Sequence, residues 1–173
     1  MTPLPLLQGA HSTPHAFQVD ERHPYVHGFG SLGGEFWWGL YHLWWLTAQP
    51  DRIYELRIDL VTSRGREYRA TYQNFAVGSV RLSGNHFARL QVGNYSGDAG
   101  DELANDVAFS TEEVDVDRHP KYHCAEIRNG GWWYNACGAS VLNGPRGDTD
   151  PCMIWGELKC LSGSTMKIRP TEK

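Results

Sequence analysis

The sequence predicts a domain built on an antiparallel sheet with a short helix, followed by a C-terminal half made mainly of loops. Segments of strand-like alternation and one segment with a helical apolar face lie before residue 96. After that point the regular pattern is lost, and Gly, Asp and Asn become frequent. Long irregular stretches in compact domains tend to be functional.

The strand signal is clearest in YELRIDLVT (54–62), where apolar and charged residues alternate as in a half-buried strand. The segment 66–77 alternates in the same way, and the SRG between these two segments predicts a hairpin turn. A third strand is predicted over 86–95. Strands joined by short connections favour an antiparallel sheet.

The helix signal lies in YHLWWLTA (41–48). Leu40, Leu43 and Trp44 share one face at helical spacing, with Thr47 continuing it. The preceding stretch GFGSLGGEFWWGL (28–40) mixes Gly with aromatic residues. It predicts tight turns packed by large rings.

Composition limits the classes of function. The chain has 173 residues, which suits one domain, and 40% of them are hydrophobic, so a folded core is expected. The net charge of -4 offers no basic face for nucleic acid. The mean hydropathy is -0.49, and no apolar run approaches the ~20 residues of a membrane span.

The N-terminal segment 1–24 holds four Pro residues and no periodicity, so we expect it to be loosely ordered. Its first residues, MTPLPLLQGA, have no basic region and too short an apolar stretch for a signal peptide. No nucleophile-elbow motif or other catalytic constellation is visible, which favours a non-enzymatic protein.

The four Cys residues allow three pairings. The local pairing, Cys124 with Cys137 and Cys152 with Cys160, closes two short loops, and a loop of ~15 residues gains roughly 3 kcal/mol in the chain-entropy model. Four reduced thiols, or a zinc site with neighbouring His residues, are the alternatives. Disulfides would place the protein in an extracellular or endoplasmic-reticulum environment.

The stretch NGGWWYNACGASVLNG (129–144) has neither helical nor strand periodicity, because its aromatic residues are consecutive. It predicts a rigid loop that is held by aromatic packing on one side and by Cys137 on the other.

Seven motifs together carry a family resemblance: GFGSLGGEFWWGL, YELRIDL, YSGDAGDEL, FSTEEVDVD, CAEIRNGGWWYNAC, LNG and MKIRP. In this order they resemble the fibrinogen C-terminal domain family, which includes ficolins, techylectins and angiopoietins. Over residues 25–170 the resemblance implies an α+β fold with a twisted antiparallel sheet, short helices and a loop-rich, disulfide-clamped C-terminal region. It also implies a secreted recognition module. The family's N-terminal subdomain has no counterpart here, and Cys152 and Cys160 depart from the common pattern.

The acidic segment FSTEEVDVDRHPKYHC places Glu113, Asp115 and Asp117 at alternate positions, where they can converge on one cation. Ca²⁺ prefers six to eight oxygen ligands. The resemblance implies that Asp115 and Asp117 ligate Ca²⁺ and that His119 supplies a backbone carbonyl, with Glu113 replacing the family's usual Asp. A solvated acidic turn without metal is the alternative.

The resemblance also implies a ligand site at the aromatic loop, beside a cis peptide bond between Ala136 and Cys137. Tyr134 is expected to offer a ring face and a hydroxyl. Two positions depart from the acetyl-binding lectins of the family, because Arg128 replaces an aromatic residue and Gly138 replaces a His. Arg128 would favour an acidic ligand group.

The expected function is therefore a calcium-stabilised, glycan-binding or pathogen-binding domain of innate defence. The alternative is a ligand of a cell-surface receptor, involved in signalling, or of an integrin. Arg146, Gly147 and Asp148 form a candidate integrin-recognition tripeptide between two Pro residues. No membrane insertion is expected, and any oligomerisation would use segments outside this chain.

Overall fold

A computed structural model describes residues 23–80 and 87–171. The described residues form three short helices: α1 (Pro24–His27), α2 (Leu40–Thr47) and α3 (Cys124–Arg128). They also form ten strands: β1 (Phe29–Gly30), β2 (Phe36–Trp37), β3 (Ile53–Val61), β4 (Glu67–Tyr72), β5 (Ala76–Val77), β6 (Leu90–Gln91), β7 (Tyr95–Gly97), β8 (Ser140–Val141), β9 (Ile154–Trp155) and β10 (Gly163–Thr171).

The main sheet has four antiparallel strands in the order β10-β3-β4-β7. The described residues also form three two-stranded antiparallel sheets, β1-β2, β5-β6 and β8-β9. The predicted combination of an antiparallel sheet with short helices is confirmed.

The central strand β3 follows its sequence pattern. Leu56, Ile58 and Leu60 are fully buried, whereas the alternate residues face outward. On the outer face, Asp59 accepts hydrogen bonds of 2.7 Å from Lys167 and Arg57. Partial burial alone would raise the pKa of Asp59, but these two cations lower it. The charged face is therefore internally paired.

Two strand predictions needed correction. The predicted strand 66–77 is interrupted after Tyr72, where Asn74 adopts a left-handed backbone with φ 52°. The predicted strand 86–95 is only partly regular, since β6 pairs with β5 while β7 joins the main sheet. Residue 86 lies outside the described residues.

Helix α2 is confirmed almost at its predicted bounds. Leu40 and Leu43 are buried as predicted, but Trp44 is only half-buried. Thr47 fixes the helix to β5, because its hydroxyl donates to the Leu43 carbonyl and accepts from the Val77 amide.

The prediction that residues 1–24 are loosely ordered can be compared with the structure only at residues 23 and 24, because residues 1–22 lie outside the described part of the chain. From His23 onward the chain is anchored: His23 is 4% exposed, and the Tyr25 hydroxyl accepts a 2.8 Å hydrogen bond from the Gly131 amide. No helix in the described residues has the length and apolar character needed to cross a membrane.

Candidate functional site

Two disulfides organise the C-terminal loops, as the local pairing predicts. Cys124 is bonded to Cys137, and Cys152 to Cys160, which leaves no free thiol. Because Cys124 is the first residue of α3, the first bridge ties this helix to the loop that follows the consecutive aromatic residues. The loop 134–140 is called the clamped loop below.

The aromatic residues before the clamped loop form its buried support. Trp132 and Trp133 are 0% and 2% exposed, and their indole N–H groups donate to the Ser140 hydroxyl and the Ala88 carbonyl. The ring of Trp133 also meets Phe109 edge to face, with 5.0 Å between ring centroids. Each buried polar atom of these side chains has a partner, so aromatic packing and the Cys137 disulfide both hold this stretch, as the sequence predicts.

Tyr134 belongs to the same support, and the prediction that it presents its ring and hydroxyl to a ligand is wrong. The residue is 1% exposed, and its hydroxyl donates a 2.6 Å hydrogen bond to the Gly130 carbonyl. Burial raises the pKa of Tyr134 far above its ordinary value. The hydroxyl is hydrogen-bonded within the domain, so the buried side chain has no unpaired polar group.

The expected cis bond before Cys137 is also wrong. The cis bond in the described residues joins Asp150 to Pro151, and the Ala136–Cys137 bond is trans. Cys137 instead has a left-handed backbone with φ 52°.

Arg128, a predicted ligand contact, braces the clamped loop. Its guanidinium donates to the Cys137 carbonyl at 3.2 and 3.3 Å and to Asp150 at 2.8 Å. The positive charge is thus compensated within the domain. Gly138 is exposed, and a Cβ placed there would have the Ala136 amide nitrogen, at 4.0 Å, as its nearest neighbour, so a larger side chain would fit at this position.

The acidic segment is folded around Asp117. Its two carboxylate oxygens accept hydrogen bonds from the His119 and Cys124 amides, at 2.7 and 2.8 Å. The His119 ring accepts from the amides of Lys121 and Tyr122, which closes the turn. Asp115 is exposed.

Glu113 is engaged elsewhere, because its Oε2 lies 2.8 Å from Nε2 of the buried His23. Partial burial would raise the pKa of Glu113, but the hydrogen bond from His23 and its charge lower it. Within residues 23–80 and 87–171, no group of three or more His, Cys, Asp or Glu side chains is arranged to hold a metal. The calcium assignment stays a prediction.

A surface cavity of about 250 Å³ lies against the clamped loop. Asp101 and Glu102 line one wall, and Trp133 and Tyr134 also contribute to the lining. The remaining lining residues are Leu103, Ala104, Asn135, Ala136, Gly138, Ala139 and Ser140. The sequence analysis did not select these two residues as candidate site residues, although they are adjacent in the motif YSGDAGDEL.

The candidate integrin tripeptide lies on an exposed loop. Arg146, Gly147 and Asp148 are all exposed, as predicted from the flanking Pro residues. The Arg146 guanidinium is 2.6 Å from a carboxylate oxygen of Glu35, so this cation is already part of an ion pair.

A family model describing the C-terminal globular domain of fibrinogen beta and gamma chains matches residues 10–171. Human angiopoietin-related protein 6 is 43% identical over 159 residues, covering 84% of this chain and 32% of the relative. Human fibrinogen-like protein 1 is 35% identical over 174 residues, covering 86% of this chain and 54% of the relative. The chain thus spans about a third to a half of these relatives' length.

Solved structures similar to this chain are also fibrinogen-like domains. The fibrinogen-like globe domain of human ANGPTL6 has a TM-score of 0.75 and 36% identity, covering 87% of this chain and 70% of that one. A lamprey fibrin D-dimer in complex with the peptide Gly-His-Arg-Pro-amide has a TM-score of 0.72 and 29% identity, covering 87% of this chain and 57% of that one.

Proposed function

The chain belongs to the fibrinogen C-terminal domain family, and we propose that it is an extracellular, non-enzymatic recognition domain that binds a protein or peptide at the cavity beside the clamped loop. The observation that carries this proposal is the cavity itself. One of its walls is a loop held by the Cys124–Cys137 disulfide, by Arg128 and by the buried rings beneath it.

Such a wall suits recognition because its backbone is fixed before a ligand arrives. Binding at a preorganised loop loses less conformational entropy than binding at a loop that must first become ordered. Small exposed side chains on this wall, including Ala136 and Gly138, leave room for a ligand group.

Protein or peptide ligands are favoured over glycans, which the sequence alone had placed first. Tyr134 is buried and Arg128 is paired, so two residues expected to contact a sugar have structural roles. The relatives are angiopoietin-related and fibrinogen-like proteins, and a structural neighbour holds a peptide. Glycan recognition is the alternative that the experiment below separates.

The extracellular assignment rests on the two disulfides, which form and persist in oxidising compartments. A signalling role, as for a receptor ligand, is part of the same proposal and follows from the angiopoietin-related relatives rather than from any single residue.

Calcium binding at the acidic segment is a further part of the proposal. The donor chemistry fits, since carboxylate oxygens are the ligands that Ca²⁺ prefers. Asp115 and Asp117 would hold the ion together with the His119 carbonyl, whereas Glu113 is committed to His23. A bound ion would stabilise the turn that connects to Cys124 and thereby the clamped loop.

An integrin is a second candidate partner, because the tripeptide Arg146-Gly147-Asp148 is exposed. The ion pair of Arg146 with Glu35 counts against it, since an integrin would have to break this pair. The cavity therefore remains the first candidate.

The test is a binding screen with a blocked cavity. The wild-type domain and an Ala136→Trp variant are screened against receptor ectodomains, a random peptide display library and a glycan array, with the exposed Ala48→Trp as the matched control. We expect a protein or peptide partner whose affinity falls at least tenfold in Ala136→Trp and is unchanged in Ala48→Trp. Partners that bind all three proteins equally, or glycans alone, would contradict the proposal.

A further inference from the structure

We infer that Asn94 is an N-glycosylation site and that its glycan covers the outer strand β7 of the main sheet. The modification goes beyond the proposed recognition of a ligand, but it rests on the extracellular location that is part of the proposed function. It depends on the sequence around Asn94, on the exposure of the two residues that the modification needs, and on the place of β7 at the edge of the sheet.

Asn94 is the one asparagine of the chain that matches the acceptor pattern for N-glycosylation. The pattern is Asn-X-Ser/Thr, where X is any residue except Pro. The segment Asn94-Tyr95-Ser96 matches it, and no other asparagine is followed two positions later by Ser or Thr. An N-linked glycan on this chain would therefore be attached at this single position.

The structure exposes both residues that the modification requires. Asn94 and Ser96 are exposed, whereas Tyr95 between them is half-buried. The Tyr95 ring lies 5.5 Å from the ring of Tyr72, centroid to centroid, and its hydroxyl accepts a 2.9 Å hydrogen bond from the Gly100 amide. The aromatic residue anchors the segment, and its two neighbours face the solvent, as expected from the alternation of side chains along a strand.

The side-chain amide of Asn94 can carry a sugar without losing its contact in the folded domain. The backbone is fixed by Gln73, whose amide donates to the Asn94 carbonyl at 3.0 Å. The Asn94 Nδ2 donates to the Gln73 Oε1 at 3.4 Å, which is a long hydrogen bond at the surface. Because Nδ2 has two hydrogens, one N–H is still available for Gln73 after the other has been replaced.

The modifying reaction is transfer from a lipid-linked pyrophosphoryl oligosaccharide. Nδ2 of Asn94 forms a bond to the anomeric carbon of the first sugar, and the bond from this carbon to the pyrophosphate oxygen breaks. The lipid pyrophosphate leaves with the bonding electron pair, and the amide gives up one proton. The transfer takes place in the lumen of the endoplasmic reticulum, which is also a compartment where disulfides such as the two in this domain form.

The place of β7 gives the glycan a structural role. In the order β10-β3-β4-β7, the two outer strands of the main sheet are β10 and β7. Charged residues and Pro protect outer strands from pairing with other chains. Strand β10 carries Lys167, Arg169 and Pro170, whereas β7 (Tyr95–Gly97) has no charged residue and no Pro. A bulky, polar glycan on Asn94, directly before β7, would supply this protection.

The test of the modification uses the full chain, fused to a cleavable secretion signal and expressed in mammalian cells. Protein from the medium is treated with peptide-N-glycosidase in H₂¹⁸O, and its peptides are analysed by mass spectrometry. We expect ¹⁸O-labelled aspartate at position 94 in the wild type and in Ser96→Thr, which keeps the hydroxyl. No label is expected in Ser96→Ala or Asn94→Gln.

The outcomes separate this inference from the proposed function. If disulfide-bonded wild-type protein reaches the medium with Asn94 unmodified, or if the label persists in Ser96→Ala, the inference is overturned and the extracellular assignment stands. If the wild-type chain is retained in the cells with reduced cysteines, the extracellular assignment and the inference fail together.

The protection of β7 is tested by the rate of aggregation during refolding from urea without reductant. The enzymatically deglycosylated wild type and Ser96→Ala should aggregate several times faster than the glycosylated wild type. The control is the Ser96→Ala, Gly147→Asn double variant, which moves the acceptor pattern to an exposed loop before Thr149 and should aggregate like Ser96→Ala. Equal aggregation of all forms, or full protection by the moved glycan, would overturn the role of the glycan at β7.

Discussion

The Oδ2 oxygen of Asp117 accepts a 2.8 Å hydrogen bond from the backbone amide of Cys124, the residue that begins α3 and forms the disulfide to Cys137. A single carboxylate therefore connects the acidic segment with the clamped loop. Any ligand or mutation that disturbs this carboxylate should also affect the geometry of the proposed recognition site.

Replacing Asp117 should lower stability even without calcium. Asp117→Ala removes two amide hydrogen bonds to a charged acceptor, each worth about 1.5–3 kcal/mol, reduced here because the side chain is partly exposed. We expect a loss of roughly 2 kcal/mol in urea unfolding. Asp115→Ala, at an exposed position, is the control and should change stability little in calcium-free buffer.

Calcium should raise the melting temperature of the wild-type domain, because a ligand at a hundredfold excess over its Kd adds about 2.7 kcal/mol. The shift should be absent in the Asp115→Ala, Asp117→Ala double variant and much smaller with Mg²⁺, whose octahedral preference suits this loop poorly. An equal calcium shift in the double variant would remove these two residues from the proposed site.

The contact of the Glu113 carboxylate with His23 should make stability depend on pH. The pKa of Glu113 is lowered in the folded state, so its contribution is present above the ordinary value of 4.5 and is lost as the pH falls through the lowered value. Glu113→Gln should therefore lower the melting temperature at pH 6 and converge with the wild type under strongly acidic conditions. If the melting temperatures of the wild type and Glu113→Gln differ by the same amount at pH 6 and under strongly acidic conditions, the contact of Glu113 with His23 is not the cause of the pH dependence.

Substitutions of Tyr134 should lower the free energy of unfolding of the domain rather than remove a ligand contact. Tyr134→Phe leaves the Gly130 carbonyl without its donor, which should cost about 1–3 kcal/mol. Tyr134→Ala also creates a cavity and should cost about 3–5 kcal/mol. Urea denaturation measures both values. If Tyr134→Ala unfolds like the wild type but loses a ligand, the residue is a direct contact after all.

The integrin alternative makes a separate forecast. If the exposed tripeptide is used, Asp148→Ala should abolish adhesion of integrin-bearing cells, while Ala136→Trp should leave adhesion intact. We expect no loss of cavity-dependent binding in Asp148→Ala. Adhesion that needs Asp148 and is indifferent to Ala136 would make the tripeptide the recognition element.

Local patterns predicted the local parts of this fold. Alternation identified β3 because Leu56, Ile58 and Leu60 face the core while charged residues face outward. Strand β10 was missed, although it pairs with β3 along its whole length. Its apolar residues, Met166 and Ile168, form too short an alternation before Pro170, and its partner lies about a hundred residues earlier in the chain.

The candidate site was harder to predict, because its contacts are non-local. His23 and Glu113 are 90 residues apart, and nothing in either neighbourhood indicates the pair. The burial of Tyr134 was missed because consecutive aromatic residues in a loop have no periodicity that separates inward from outward positions. Adjacent carboxylates at Asp101 and Glu102 were visible, but the cavity they line is formed only when the clamped loop packs against them.

The most direct measurement is hydrogen exchange of the domain with and without a partner obtained from the screen. The proposed recognition site predicts slower exchange of the amides in 101–104 and 134–140 when the partner is bound, with the exposed loop 146–149 unchanged. Protection confined to 146–149, or to the exposed aromatic residues of α2, with no change around the cavity, would contradict it.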